Sequence, residues 1–180
     1  LKVLFGGLNA IQDPRKGFKY LLTALEKLKA QNENMELISF GDESEAEDIR
    51  KLPFKTHFTG SISGDSNLSR VYNKSDILVL PSLQDNLPNT VMESLSCGKP
   101  VIAFETGGIP DMIKDGYNGF LVKLGDTDDL EYKIRAINNN YALQRMSKNA
   151  RESVVERFSY EVVGSMLNQL YEKYYQYGNH

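Results

Sequence analysis

The amino-acid sequence predicts an α/β domain, a doubly wound parallel sheet of about six strands with helices on both faces. Two observations carry that expectation. Short apolar blocks alternate with blocks of helical period along most of the chain. The apolar blocks are also nearly continuous, as strands buried on both faces require, rather than polar at every second position.

Taken in order, residues 2–6 (KVLFG) read as a buried strand. Residues 17–30 then place Phe18, Leu21, Leu22, Leu25 and Leu28 on one helical face. The strand-like MELISFG (35–41) precedes an acidic short helix over 43–52, stopped before Pro53. THFTG (56–60) is a third short strand, and Leu68 with Val71 marks the next helix. DILVLPS (76–82) is the clearest buried strand. A helix near 89–97 leads to the strand PVIAFE (100–105), a short helix at IPDMIKDG and a last strand NGFLVK (118–123). Two helical stretches close the chain, 127–157 with a break near Asn138–Asn140, and 160–175.

The bulk properties narrow the function classes. One hundred and eighty residues suit one domain with a sizeable core. Hydrophobic residues at 41% and charged residues at 25% are those of an ordinary globular chain. A formal net charge of −3 exerts no global pull on nucleic acid or on an anionic membrane, so no nucleic-acid partner is expected. Cys97 is the only cysteine, which rules out an internal disulfide and suits a reducing compartment. No apolar run approaches the ~20 residues of a membrane span. The chain opens without Met, directly in a strand, which reads as an excised domain. No internal repeat or linker divides residues 1–180.

Doubly wound sheets bind ligands at the carboxyl ends of their strands, so chemistry is sought in the loops at 6–17, 41–44, 60–66, 82–90 and 105–110. In loop 6–17, Gly6 and Gly7 let backbone approach a ligand, and Arg15 and Lys16 stand just before a helix whose amino end favours anions. Backbone amides with two cations suit a diphosphate. A plain Gly-Gly turn with a solvated charge pair fits those residues equally well. Loop 82–93 is richer. Asp85, Asn86 and Asn89 form a polar turn, Pro88 is placed to precede or open a helix, and Asn89 or Thr90 can cap it. Glu93 falls in the expected first turn, where it would also complement the helix dipole. Two carboxylates flanking a cluster of amides match a ligand with phosphate and vicinal hydroxyls together, as in a nucleotide-sugar.

The run over 76–122, DILVLPSLQDNLPNTVMESLSCGKPVIAFETGGIPDMIKDGYNGFLV, resembles the C-terminal domain of family 4 glycosyltransferases of the GT-B fold. The shared order is a strand ending Pro-Ser, two acidic residues eight apart, Gly-x-Pro-Val, a Gly-Gly turn and Asp-Gly-x-x-Gly-x-Leu-Val. Lys16-Gly17 opening an amphipathic helix, and Thr59-Gly60 before a polar loop, extend the likeness over essentially the whole chain.

The resemblance implies a Rossmann-like donor-binding half. Glu93 matches the second acidic residue of the family motif, whose carboxylate accepts from the ribose hydroxyls. Asp85 matches the first, near the transferred sugar, and is Asp where the family usually has Glu. Residues Asn86, Leu87, Pro88, Asn89 and Thr90 replace the usual glycine-rich turn, with amides toward sugar and diphosphate. Lys16 matches the lysine that neutralises the diphosphate. The usual arginine after the first strand is replaced by Gly7, and Arg15 is a candidate substitute. Gly60, Ser61 and Ile62 match the loop lining the base. Members generally retain anomeric configuration and need no metal or other cofactor. The implied partners are a nucleotide-sugar donor, an N-terminal domain of the same polypeptide, and a saccharide or lipid-linked acceptor reached through that domain. A cytoplasmic place follows, with peripheral contact on the inner face of the membrane. A non-catalytic nucleotide- or sugar-binding module of the same fold is the alternative, supported by the Asp85 change and the missing arginine.

Other signals have plainer readings. Asp126-x-Asp128 follows Gly125 at a helix start and reads as a cap rather than a metal-binding pair. His57 reads as a core or edge histidine, His180 is terminal, and Cys97 reads as a buried small residue. Val163, Met166, Leu167, Leu170 and Tyr174 recur at helical spacing, as a core-packing face does. In the resembling family such a helix often crosses back to the other domain, which would leave part of this apolar face exposed in the isolated piece. Tyr171, Tyr174, Tyr175 and Tyr177 lack enough basic neighbours to argue for a membrane interface.

Overall fold

The computed structural model describes residues 1–7 and 9–177. The sheet has six strands, all parallel: β1 (Lys2–Gly6), β2 (Glu36–Phe40), β3 (Lys55–Phe58), β4 (Ile77–Leu80), β5 (Val101–Phe104) and β6 (Gly119–Val122). Their order is β3-β2-β1-β4-β5-β6. The chain winds outward from β1 to β3, returns to the centre and winds the other way from β4 to β6. The crevice between the carboxyl ends of β1 and β4 is therefore the topological switch point, where doubly wound sheets hold ligands.

Successive strand residues point to opposite faces, and each face has its own core. Val3, Phe5, Leu37, Ile77, Val79, Ile102 and Phe104 meet Leu21, Leu25 and Leu28 of α1 (Phe18–Ala30) and Leu130 and Ile134 of α6 (Thr127–Ile137). Leu4, Ile38, Phe40, Leu78, Leu80, Val101 and Ala103 meet the other set of helices. Those are α3 (Asp65–Lys74), α4 (Asn89–Ser96), α5 (Ile109–Met112) and α7 (Asn140–Phe158). The inner strands β1, β4 and β5 read as nearly continuous apolar runs because both faces are covered, as expected, whereas the edge strand β3 (KTHF) has no buried residue. The short α2 (Ala46–Arg50) follows a 3-10 turn at Glu43–Glu45.

Asp126 ends the question of the acidic pair. Its Oδ1 accepts from the amides of Asp128 and Asp129 at 3.1 and 2.9 Å, the geometry of a helix cap. Asp126→Ala is expected to cost about 1 kcal/mol, measured as a lower urea midpoint at unchanged m-value.

Two expectations need correction. Residues 160–175 read as a core-packing face, with part of it exposed only if the helix crosses to another domain. They form most of α8 (Tyr160–Tyr177), which lies on α7 and leaves Met166, Leu167, Leu170, Tyr171, Tyr174 and Tyr175 exposed. Helical spacing reports that a face is apolar but not what covers it. Cys97, expected to be buried, is only half-buried at the end of α4. Burial still raises its thiol pKa, with the neighbouring Lys99 and Arg151 pulling the other way. His57 is an edge histidine on β3, with Nε2 3.2 Å from Glu36. The Tyr177 side chain and His180 lie outside the described residues. No helix among the described residues is long and apolar enough to cross a membrane.

Candidate donor site at the switch crevice

The loop after β1 brings Lys16 to the crevice. Asp13 accepts from the Arg15 amide at 2.9 Å and starts a 3-10 turn, Pro14–Lys16, which runs into α1 through Gly17. Gly17 has φ 71°, and a Cβ there would stand 1.8 Å from the Pro81 carbonyl oxygen. Only glycine lets this loop lie against the end of β4. The contact is sealed by the Leu83 amide, which donates to the Arg15 carbonyl at 2.7 Å.

With the two loops in register, Lys16 Nζ reaches Asp85 Oδ2 at 3.1 Å, across 69 residues of sequence. Both side chains are partly shielded, at 33% and 15% exposure. Arg15 behaves differently. Its Nε and Nη2 bind Asp13 at 3.0 and 2.7 Å, and its side chain is 68% exposed. Hydrogen bonds from Arg15 hold the Asp13 carboxyl at about 2, and Asp13 in turn raises the guanidinium pKa. Lys16, not Arg15, is thus the cation paired with the acidic loop after β4.

That loop is shaped from the other side by the Gly107-Gly108 turn. Gly108 donates to the Asn86 carbonyl at 2.6 Å. A Cβ on Gly107 would stand 1.8 Å from the Asp85 carbonyl oxygen, so this turn too needs glycine. Gln84, Asp85, Asn86, Thr106 and Gly107 together line one shallow depression.

α4 begins at Asn89 as expected, but its cap differs from the expectation. Pro88 occupies the N-cap position and no side chain caps the helix, so neither Asn89 nor Thr90 serves as cap. Proline fixes an extended entry, φ −67° and ψ 121°, and the helix begins one residue earlier than an Asn89 cap would give. The amides of Asn89 and Thr90 are left at an uncapped helix end, the arrangement anions favour. Glu93 is then the fifth helical residue, outside the first turn, and dipole compensation no longer accounts for it. Its Oε2 instead accepts from the Tyr72 hydroxyl at 2.8 Å. Leu87 is exposed and Pro88 buried.

The remaining predicted residues line the far side of the crevice. Gly6 ends β1 packed against Phe40, and the Gly7 amide donates to the Phe40 carbonyl at 3.1 Å. Gly60 receives a bond from the Gly41 amide at 3.2 Å. The Ser61 hydroxyl donates to the Gly41 carbonyl at 3.2 Å, and Ile62 packs against the second core. The loops after β1, β2 and β3 thus form one bonded rim.

Two contributors escaped the sequence reading. Glu45 is 1% exposed and accepts from the amides of Ile11 and Gln12 at 2.7 and 3.2 Å, pinning the loop that carries Lys16. Its neighbours Glu43 and Glu47 hid it in an acidic segment. Tyr72 had one legible signal, its place four residues after Leu68 on the apolar face of α3. A separate cavity of about 320 Å³ lies at the amino ends of β2 and β3, lined by Leu25, Met35 and Phe54. It is at the wrong end of the sheet for the ligands of this fold. Among the described residues no three His, Cys, Asp or Glu side chains cluster as a metal site would need.

Residues 12–153 match the family of glycosyl transferases group 1. The chain belongs to that family. Among its relatives is the sulfoquinovosyl transferase of Arabidopsis thaliana, 31% identical over 150 residues, covering 81% of this chain and 28% of the relative. The N-acetyl-alpha-D-glucosaminyl L-malate synthase of Bacillus anthracis is 26% identical over 171 residues, covering 93% and 43%. Sucrose-phosphate synthase from Thermosynechococcus elongatus superposes with a TM-score of 0.77 at 25% identity, covering 97% of this chain and 45% of that one. This glycosyltransferase chain therefore spans less than half the length of these relatives, and its fold is the GT-B half expected from the sequence.

Proposed function

We propose that this chain is the donor-binding half of a retaining family 4 glycosyltransferase. It holds a nucleotide-diphosphate hexose, while an N-terminal domain of the same polypeptide presents a saccharide or lipid-linked saccharide, as in surface polysaccharide synthesis. The enzyme works in the cytoplasm, peripherally on the inner face of the membrane. The observation that carries the reading is the pairing of Lys16 with Asp85 at the switch crevice, beside the uncapped amino end of α4. The relatives named above support sugar transfer by their names alone.

In the reaction, the bond between the anomeric carbon and the diphosphate oxygen breaks and a bond to the acceptor hydroxyl oxygen forms on the same face, while the hydroxyl proton passes to the departing diphosphate. Negative charge accumulates on the departing diphosphate. Lys16 and the amides of Asn89 and Thr90 stabilise it from fixed positions, without reorganising during the step. Asp85 stands beside the transferred sugar and Glu93 accepts from the ribose hydroxyls. The family resemblance calls for no metal or cofactor in this scheme.

Isothermal titration of this chain with UDP, UDP-sugars and GDP-sugars tests the reading. Weak binding without turnover is expected, since no acceptor is held here. A folded chain that binds none of these nucleotides would sink the donor site.

A further inference from the structure

Tyr72 is the only group that orients the carboxylate of Glu93 among the described residues. Its side chain has no exposed surface, and its ring meets Phe40 edge-on, 6.3 Å between centroids at 68°. The hydroxyl lies 2.8 Å from Glu93 Oε2 and 3.4 Å from the Thr90 carbonyl. It has one proton to donate, and the shorter contact to a carboxylate takes it. Burial, and then the adjacent Glu93, drives the phenol pKa far above its ordinary value, so that proton stays in place. Among the described residues no lysine or arginine pairs with Glu93. One oxygen is therefore held by a neutral donor and the other is left for a ligand.

We propose that Tyr72 is a positioning residue that aims Glu93 at the ribose of the donor and ties α4 to α3, the helix that follows the Gly60–Ile62 loop. The inference rests on the reading above, that Glu93 accepts from the ribose hydroxyls. Phe40 closes one side of the tyrosine ring and Glu93 the other end, so the carboxylate is fixed through a rigid buried aromatic rather than a mobile surface chain. A phenylalanine keeps the packing and removes only the proton that orients Glu93.

The test is a cycle between protein and ligand. Wild type, Tyr72→Phe and Glu93→Gln are titrated with whichever of UDP, GDP and ADP binds wild type tightest, and with its 2′-deoxy and 3′-deoxy forms. In wild type, loss of a ribose hydroxyl that meets a carboxylate is expected to weaken binding on the order of tenfold. In Tyr72→Phe that ratio is expected to shrink to about twofold, because an unaimed carboxylate no longer distinguishes the hydroxyl. The ratio is taken within one protein, so a general loss of stability cancels from it, and thermal melting confirms folding. An undiminished ratio in Tyr72→Phe, with the ratio lost in Glu93→Gln, overturns the role of Tyr72 alone. A ratio unaffected by Glu93→Gln overturns the ribose reading of Glu93, and the role of Tyr72 with it.

Discussion

Lys16→Ala is expected to lower kcat of the full-length enzyme by roughly 100- to 1,000-fold, about 3–4 kcal/mol of barrier, the effect of losing one preorganised electrostatic donor. The site explains why no neighbour can substitute. Arg15, one residue away, is engaged by Asp13 through two of its nitrogens and directs its side chain to solvent. Among the described residues Lys16 pairs with Asp85 alone, so a bound diphosphate would complete a three-part arrangement of phosphate, ammonium and carboxylate. Removing the ammonium leaves Asp85 facing the phosphate with like charge, and the donor KM should rise as well. Steady-state kinetics with Lys16→Ala and Lys16→Arg separates position from charge. A Lys16→Ala enzyme within threefold of the wild-type kcat would falsify the assignment of Lys16 to the leaving group.

The second large effect is structural in origin. Gly17→Ala places a methyl group 1.8 Å from a backbone oxygen at Pro81, which no rotamer change can relieve, at a φ that L-residues rarely adopt. Overpacking and the left-handed conformation together should cost about 3 kcal/mol. The relief available is a shift of the 3-10 turn away from β4, which breaks the Leu83–Arg15 bond and carries Lys16 off Asp85. Chemical denaturation should show the loss of stability, and titration with the donor nucleotide should show weakened binding in the fraction that remains folded. Gly125→Ala is a control. It also has a positive φ, but its nearest heavy atoms are 3.9 Å away, so backbone strain acts there without the clash. Equal losses at the two positions would show that close packing at Pro81 contributes nothing.

The motif of loop 82–93 was legible because it is local. Asp85, Pro88 and Glu93 lie within a single strand-turn-helix unit, and their order alone carries the family likeness. The helix start at Asn89 held, and what failed was the identity of the cap. Sequence preference favours Asn or Thr as a cap, but Pro88 sets the extended residue there, and that choice moved Glu93 out of the first turn. Glu45 shows the opposite difficulty. A carboxylate in an acidic run reads as solvated, and only the fold brings the amides of Ile11 and Gln12 within reach of it.

By itself the sequence determined the doubly wound class, the position of every strand to within a residue or two, and the loops at the carboxyl ends of those strands. Those are consequences of burial on both faces of a parallel sheet, which leaves a one-dimensional trace in the apolar pattern. Only the tertiary structure decided that Lys16 meets Asp85 while Arg15 does not, that Tyr72 holds Glu93, and that α8 leaves an apolar face uncovered. Each of these turns on the distance between side chains far apart along the chain. Such distances follow from strand order and loop packing, here β1 beside β4 with Gly17 against Pro81, and neither is written in local periodicity.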